Sequence, residues 1–347
     1  MQRKQAIVRE DVARVAGDGN GLSALRGQSV LITGGTGFLG TWLTEILAHL
    51  NDAHGFNVRI NLLATRPAEF AERAPHLAQR GDVKLIARDV ANLVELPPEV
   101  EYLIHAAASP DSRLHVSDPL RVIRTVVAGT QAVAESATRL PNVKCMLNVS
   151  SGLIYGAKPV GAGPIGEQAF GGIDSASLLN VYAEAKRMAE TVAAAYRSQH
   201  RLPIVTVRPF SFVGPYQSLD RPWAINNFIR DALQGGPVRI QGDGQTVRGY
   251  MYGADFAWWV LNILVRAKAG QAYNVGSPQG ISLLDLASKL AGLMPSPSRI
   301  STSLFSEGVP RTSFIPDTTA VSRDLGLSQA FELSDSLRRT IEWHRAA

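Results

Sequence analysis

The chain has 347 residues, 45% hydrophobic and 19% charged, a composition that buries one large core or two lobes and excludes a disordered or fibrous protein. Its formal charge of +5 comes from arginines spread along the chain, without the basic block of a nucleic-acid footprint, and fits a small anionic substrate. No apolar run approaches the roughly 18 residues of a membrane span, the opening "MQRKQAIVREDVARVAG" lacks the apolar stretch of a signal peptide, and the single cysteine, Cys145, excludes an internal disulfide; a cytoplasmic protein is expected.

Residues 1–27 are a polar amino-terminal arm in which "AIVREDVARVAG" reads either as a docking helix or as a mobile segment. The first strong signal follows. "QSVLITGGTGFLGTWLTEILAHL" opens with an apolar strand, Ser29 to Thr33, breaks at glycines and resumes with helical periodicity from Phe38 to Leu50. Gly34, Gly37 and Gly40 permit a tight turn, close backbone approach to a pyrophosphate and tight helix–strand packing. With Thr36, Phe38 and Leu39 they form the expected dinucleotide cradle, because unpaired N–H groups at a helix amino terminus favour anions.

Four more apolar runs follow, Val58–Arg66, Val83–Val90, Glu101–Ala108 and Asn142–Ser151, separated by helical patterns. Alternating strands and helices imply an α/β fold, a Rossmann-type doubly wound parallel sheet covered on both faces. Strand ends on the side of the glycine turn then line the cofactor: Asp89 and Val90 near the adenine, Ala106, Ala107 and Ala108 beside pyrophosphate and ribose. The second strand ends Ala64-Thr65-Arg66 without the acid that bonds adenosine ribose; Arg66 reads as pairing with a 2′-phosphate, stacking on adenine, or remaining a solvated loop residue, and NADP is slightly favoured over NAD. His105 reads as a strand-end residue without a catalytic role, and Cys145, inside "VKCMLNV", as a buried thiol. In "NVYAEAKR" Tyr182 precedes Lys186 by four residues, so both share one helix face. Alone that spacing is equally an amphipathic turn.

"TGGTGFLG", "HAAA", "VSSGLIYG" and "YAEAK", in this order, together with "VRPFSFVGPY" and "VRIQGDGQTVRGYMYGADFAWWV", resemble the extended short-chain dehydrogenase/reductase family in its nucleotide-sugar epimerase/dehydratase branch, over about residues 28 to 345. The resemblance implies an NAD(P)-dependent enzyme, a homodimer, acting on a nucleotide-diphosphate sugar, with Ser151, Tyr182 and Lys186 as catalytic residues. Tyr182 then exchanges a proton with a sugar hydroxyl while hydride moves to or from nicotinamide. Lys186 lowers the phenol's pKa and holds the nicotinamide ribose, and Ser151 bonds the reacting oxygen. A phenol useful near neutrality needs a shift of about three units, roughly 4 kcal/mol. A protein of this fold that binds dinucleotide without catalysis is the other functional class, but such proteins lose the Tyr or Lys kept here.

Departures from the family pattern narrow the reaction. The resemblance places the Asp-Glu pair of 4,6-dehydratases where this chain has Gly152 and Leu153, which transfer no proton; decarboxylases of the branch commonly keep a Glu at the second position. Oxidation and return of hydride at sugar C4, a 4-epimerase, is therefore the leading expectation, with a 4-keto-sugar reductase as alternative. Epimerisation needs room for the sugar to rotate, which Gly152, the "GAGPIG" run from Gly161 to Gly166, and Ser211 offer, although glycine there equally marks only a loop. Val126 stands where the family usually has a cofactor-contacting Asn.

The resemblance makes residues 28–210 the dinucleotide-binding domain, with Pro209 at the cofactor, and residues 211–347 mainly a smaller α/β substrate lobe from which some segments return to the core. In that lobe it places Ser211 near the sugar diphosphate and Arg248 on phosphate, a task suited to a planar fork of donors. Asn227, opening the helix "NFIRDAL", and Arg311 are further substrate candidates, while Trp258 and Trp259 read as packing residues.

Overall fold

A computed structural model describes residues 2–294, 298–303 and 311–346. Seven strands, numbered here in chain order, form one all-parallel sheet: β1 (Ser29–Thr33), β2 (Arg59–Ala64), β3 (Val83–Ala87), β4 (Tyr102–His105), β5 (Cys145–Val149), β6 (Ile204–Pro209) and β7 (Ala272–Val275). Their order across the sheet is β7-β6-β5-β4-β1-β2-β3. The doubly wound expectation therefore holds. Apolar residues run continuously along β1 because both faces are covered: Val30 and Ile32 pack into one hydrophobic cluster and Leu31 into the other. Chain direction across the sheet reverses between β1 and β4, which opens a crevice beyond their carboxyl ends. Both the glycine turn and residues 106–108 face that crevice.

One face carries the helices Phe38–His54 and Gly253–Arg266, the other Gly129–Thr138 and Val181–His200. Trp259 is buried and Trp258 half-buried, as packing residues should be.

Of the two readings of the amino-terminal arm, the docking helix is the one observed. Helix Gln2–Ala16 buries Val8, Val12 and Val15, a stripe at helical spacing, against the helices Phe38–His54 and Gly253–Arg266. Asp11, fully buried, accepts a hydrogen bond from the Tyr252 hydroxyl (2.6 Å) and pairs with Arg339. Burial pushes its carboxyl up to about 7 against the opposing pull of those partners.

A smaller mixed sheet joins Gly280–Ser282, Val247–Tyr252, Thr312–Phe314 and Lys158–Pro159, with Ser211–Val213 alongside the end of Val247–Tyr252. Ile225, Phe228, Leu286, Leu290 and Leu337 form its separate core. Helix Ala224–Leu233 starts ahead of Asn227, which lies in the first turn and does not open the helix as expected: Ala224 and Ile225 already pack inward.

Candidate active site

The glycine turn is shaped for close approach. Gly34 has φ +66°, and a Cβ there would stand 2.9 Å from the Ala106 carbonyl oxygen; at Gly40 it would meet Gly35 O at 2.3 Å. Gly37 caps the helix Phe38–His54 without any side-chain cap, so the amide groups that follow it keep their donors for another acceptor. Thr36 and Phe38 are half-buried and Leu39 is buried. The carbonyl of Thr36 takes a hydrogen bond from Arg73, and the Phe38 ring stacks on Phe212 at 4.8 Å, tying the turn to the second lobe. These residues fit a dinucleotide pyrophosphate.

Across the crevice, a buried hydrogen-bond chain sets the end of β4. Thr130 donates its hydroxyl to Val126 O (2.6 Å), so it accepts from His105 Nε2 (3.1 Å); His105 Nδ1 in turn accepts from the Thr33 hydroxyl (2.8 Å). Thr33 Oγ1 then accepts the amides of Ala106 (3.2 Å) and Ala107 (3.3 Å). Burial, assisted by the Lys186 charge, pushes the imidazole down to about 3, so it stays neutral and holds this turn. Val126 lies in a π-helical turn, Arg124–Ala128, and its side chain packs with Tyr182.

Ser151 follows the carboxyl end of β5, and Lys186, beside Tyr182, reaches that strand end. Lys186 donates to Val149 O (2.6 Å), and Arg187 donates to Ile154 O (2.8 Å), so two consecutive side chains clip their helix to the end of β5 and to the turn that follows Ser151. Ser151 Oγ accepts the Leu153 amide (3.1 Å) and keeps its proton for a further acceptor. Lys186 Nζ stands 5.7 Å from the centroid of the Tyr182 ring. Burial pushes Lys186 down to about 8, with Glu190 one turn on pulling the other way. In the protein alone, burial raises the Tyr182 phenol well above its ordinary value. In this state Tyr182 is a neutral phenol.

Gly152 leaves no room. A Cβ there would lie 2.9 Å from both Phe210 and Phe314, so the space expected for sugar rotation is filled by two rings. Gly161 and Gly163, at φ +91° and +76° with nothing beside them, are turn residues on an exposed loop. Leu153 is exposed and supplies no acid.

The other predicted residues are spread over the crevice and its rim. Ser211 is half-buried opposite Tyr250, and Pro209 ends β6, buried. Arg248 is half-buried and bonds only neutral oxygens among the described residues: the carbonyls of Val247 (2.8 Å) and Thr312 (3.0 Å) and the Thr312 hydroxyl (3.0 Å). Val90 packs beneath Gly129, while Asp89 is exposed and caps Ala91 N (3.0 Å). Ala106, Ala107 and Ala108 are half-buried beyond β4. Arg66 is exposed and paired with Glu69 (2.7 Å), Arg311 is exposed and paired with Asp243 (2.6 Å), and Asn227 accepts from Arg230 (2.8 Å).

Sequence reasoning missed the group that braces the catalytic helix. Arg208 on β6 grips Glu190 with two bonds (2.9 and 2.6 Å) and donates to the Tyr155 hydroxyl (2.8 Å), which donates to Asn274 (2.7 Å). Glu190 follows Lys186 by four residues, a spacing that was legible; its partner on β6 was not.

A family model described as "NAD dependent epimerase/dehydratase family" matches residues 30–276. The chain belongs to that family. Its curated relatives include UDP-glucuronic acid decarboxylase 1 of Xenopus tropicalis, 27% identical over 316 residues covering 91% of this chain and 72% of the relative. Another is the dTDP-glucose 4,6-dehydratase of Streptomyces niveus, 24% identical over 326 residues covering 91% and 92%. Among solved structures, the UDP-glucuronic acid 4-epimerase of Bacillus cereus in complex with UDP-glucuronic acid and NAD superposes with a TM-score of 0.78 at 22% identity, covering 91% of this chain and 98% of that one. Family membership makes this chain an enzyme of nucleotide-sugar epimerase/dehydratase-type chemistry. No helix among the described residues is long and apolar enough to cross a membrane.

Proposed function

We propose that the chain is a nucleotide-sugar 4-epimerase, using bound NAD to oxidise C4 and return hydride to the opposite face of the same carbon. The observation that carries this reading is the turn after β5: Lys186, beside Tyr182, is held at the strand end just before Ser151, while the two positions after Ser151 are a glycine packed under Phe210 and Phe314 and an exposed leucine. With no carboxylate in that turn, elimination of water lacks its acid and base, whereas exchange of one hydroxyl proton needs only the phenol. The nicotinamide, when bound, accepts and returns the hydride.

The chain's own residues do the rest. Ser151, its oxygen already holding the Leu153 amide, donates to the sugar O4 and fixes it against Tyr182. Tyr182 moves the O4 proton; Lys186, held by Val149 O, keeps two further donors for the ribose hydroxyls. Arg248, a half-buried cation among carbonyls, takes the sugar diphosphate, for which Ser211, Asn227 and Arg311 are further contacts. Ala106, Ala107 and Ala108 would line the pyrophosphate and ribose, with Pro209 also at the cofactor, and Asp89 and Val90 would line the adenine. The sugar's rotation is then accommodated elsewhere than above Gly152.

Self-association as a homodimer is supported by Val116, Leu120, Ile123 and Met188, exposed apolar side chains on neighbouring segments of the sheet's second face. A reducing, cytoplasmic setting suits Cys145, buried and pushed up to about 12.

A second reading, an NADPH-dependent 4-keto-sugar reductase, is favoured by one observation: β2 ends without an acid and is followed by Arg66. The two reactions separate on a nucleotide sugar deuterated at C4, supplied without reduced cofactor. The epimerase returns deuterium to C4 of an inverted product; a reductase gives no inverted product and consumes NADPH only with a 4-keto substrate.

A further inference from the structure

The Tyr182 ring is backed by an imidazole. His115 stacks on it with centroids 4.8 Å apart and planes 5° from parallel. Its own ring is anchored by donating from Nε2 to the carbonyl of Ser109 (3.0 Å), just beyond the end of β4. The short helix that carries it, Ser112–Ser117, is capped by Asp111, whose carboxylate accepts the Arg113 amide (3.0 Å). Asp111 is buried and also receives the Arg221 guanidinium (2.8 Å) from the loop that leads into helix Ala224–Leu233 of the second lobe. The result is a continuous support from the second lobe through Asp111 and His115 to the phenol.

We propose that His115 is a positioning residue for Tyr182, a role that rests on the reading of Tyr182 as the proton-transfer group. A phenol on one helix has a single rotatable direction in which its hydroxyl meets the substrate oxygen. The ring belongs to an apolar cluster with Val126 and Ala185, and His115 supplies a flat, anchored surface to its face. Removing that surface lets the ring tilt, which leaves ground-state binding of the nucleotide sugar intact but spoils the geometry of proton transfer. A phenylalanine at 115 preserves the flat face and should preserve the function.

The test compares His115→Ala, His115→Phe and Tyr182→Phe, each alone and with His115→Ala built into Tyr182→Phe, on UDP-glucose and UDP-glucuronic acid in saturating NAD. His115→Ala should lower kcat by about tenfold or more with KM within about twofold, His115→Phe should recover most of that loss, and His115→Ala should cost less than about twofold once Tyr182 is gone. Wild-type kcat in His115→Ala, a phenylalanine no better than alanine, or an undiminished loss in the Tyr182→Phe background overturns the proposal. If Tyr182→Phe itself turns over normally, the reading of Tyr182 has failed, a different outcome from failure of His115 alone. A substrate-independent arm uses NAD-saturated protein carrying carbon-13 at the tyrosine Cζ: the Tyr182 resonance should be single in wild type and His115→Phe and broadened or doubled in His115→Ala. An unchanged single resonance in His115→Ala overturns the proposal whether or not either sugar is turned over.

Discussion

Lys186 donates to the carbonyl of Val149 at 2.6 Å while its Nζ stands 5.7 Å from the centre of the Tyr182 ring. The ammonium is thus fixed by the sheet before any ligand arrives, and burial has already moved it down to about 8. Its protonation is therefore sensitive to mildly alkaline solution.

The first expectation concerns that pair. Tyr182→Phe should keep the fold and bind NAD but lose at least about 10²-fold in kcat, the low end of general acid–base contributions. Near-normal turnover in this variant would remove Tyr182 from the mechanism.

A pH dependence of cofactor binding follows from Lys186. Below about 8 the ammonium is present and donates to the ribose; as pH rises through about 8 the proton leaves and one charge-assisted contact weakens. NAD affinity measured by calorimetry should fall several-fold between about pH 7 and about pH 9. Lys186→Ala should bind more weakly at both and show no such fall.

Arg248 should report on the diphosphate. Arg248→Ala is expected to weaken UDP, the simplest probe, by about 1.5–3 kcal/mol, with Arg248→Lys recovering only part because it loses the planar fork. UDP binding unchanged in Arg248→Ala would move the phosphate site elsewhere.

Arg66 decides the cofactor. Arg66→Ala should weaken NADP by about 1.5–3 kcal/mol and NAD little if the guanidinium leaves Glu69 for a 2′-phosphate. Equal weakening of both points to adenine stacking, and no change leaves Arg66 as an exposed partner of Glu69.

Asp11 should make stability depend on pH. Its carboxyl is raised from an ordinary value near 4 to about 7, so between those values the folded protein holds a proton that the unfolded chain has released. The contribution is complete below the unfolded value and is lost as pH rises through about 7. Asp11→Asn lacks this term, so the melting-temperature difference between wild type and Asp11→Asn should shift against wild type from about pH 4 to about pH 8. A pH-independent difference would mean that the carboxyl stays ionised throughout.

What the sequence made legible was local. The glycine turn, the five strands before Ser151 and the Tyr182–Lys186 spacing depend on neighbours within a few residues, and they stand where periodicity put them. The pairing of Arg66 with Glu69, three residues on, belonged to the same class and was open to the same reasoning. The remainder depends on contacts that chain separation hides. Nothing in "SSGL" shows that Phe210 and Phe314 will close over Gly152, and nothing in "SRLHVS" shows that its histidine will lie against a tyrosine 67 positions later. Likewise, spacing showed that Lys186 was near Tyr182, but not that its ammonium would also bond a strand carbonyl.

The docked helix Gln2–Ala16 also constrains how the chain is assembled. Its polar anchors lie in helix Leu333–Arg345: Arg14 pairs with Asp335 (2.7 Å), and Arg339 reaches Asp11, Glu10 (3.1 Å) and the Ile7 carbonyl (3.0 Å). On the ribosome the earlier helix emerges first; its valine stripe meets the helix Phe38–His54 soon after, but its polar anchors follow only more than three hundred residues later. Closure of these anchors is thus a late step, and it clamps in place a helix already laid along the outer side of the glycine-turn helix.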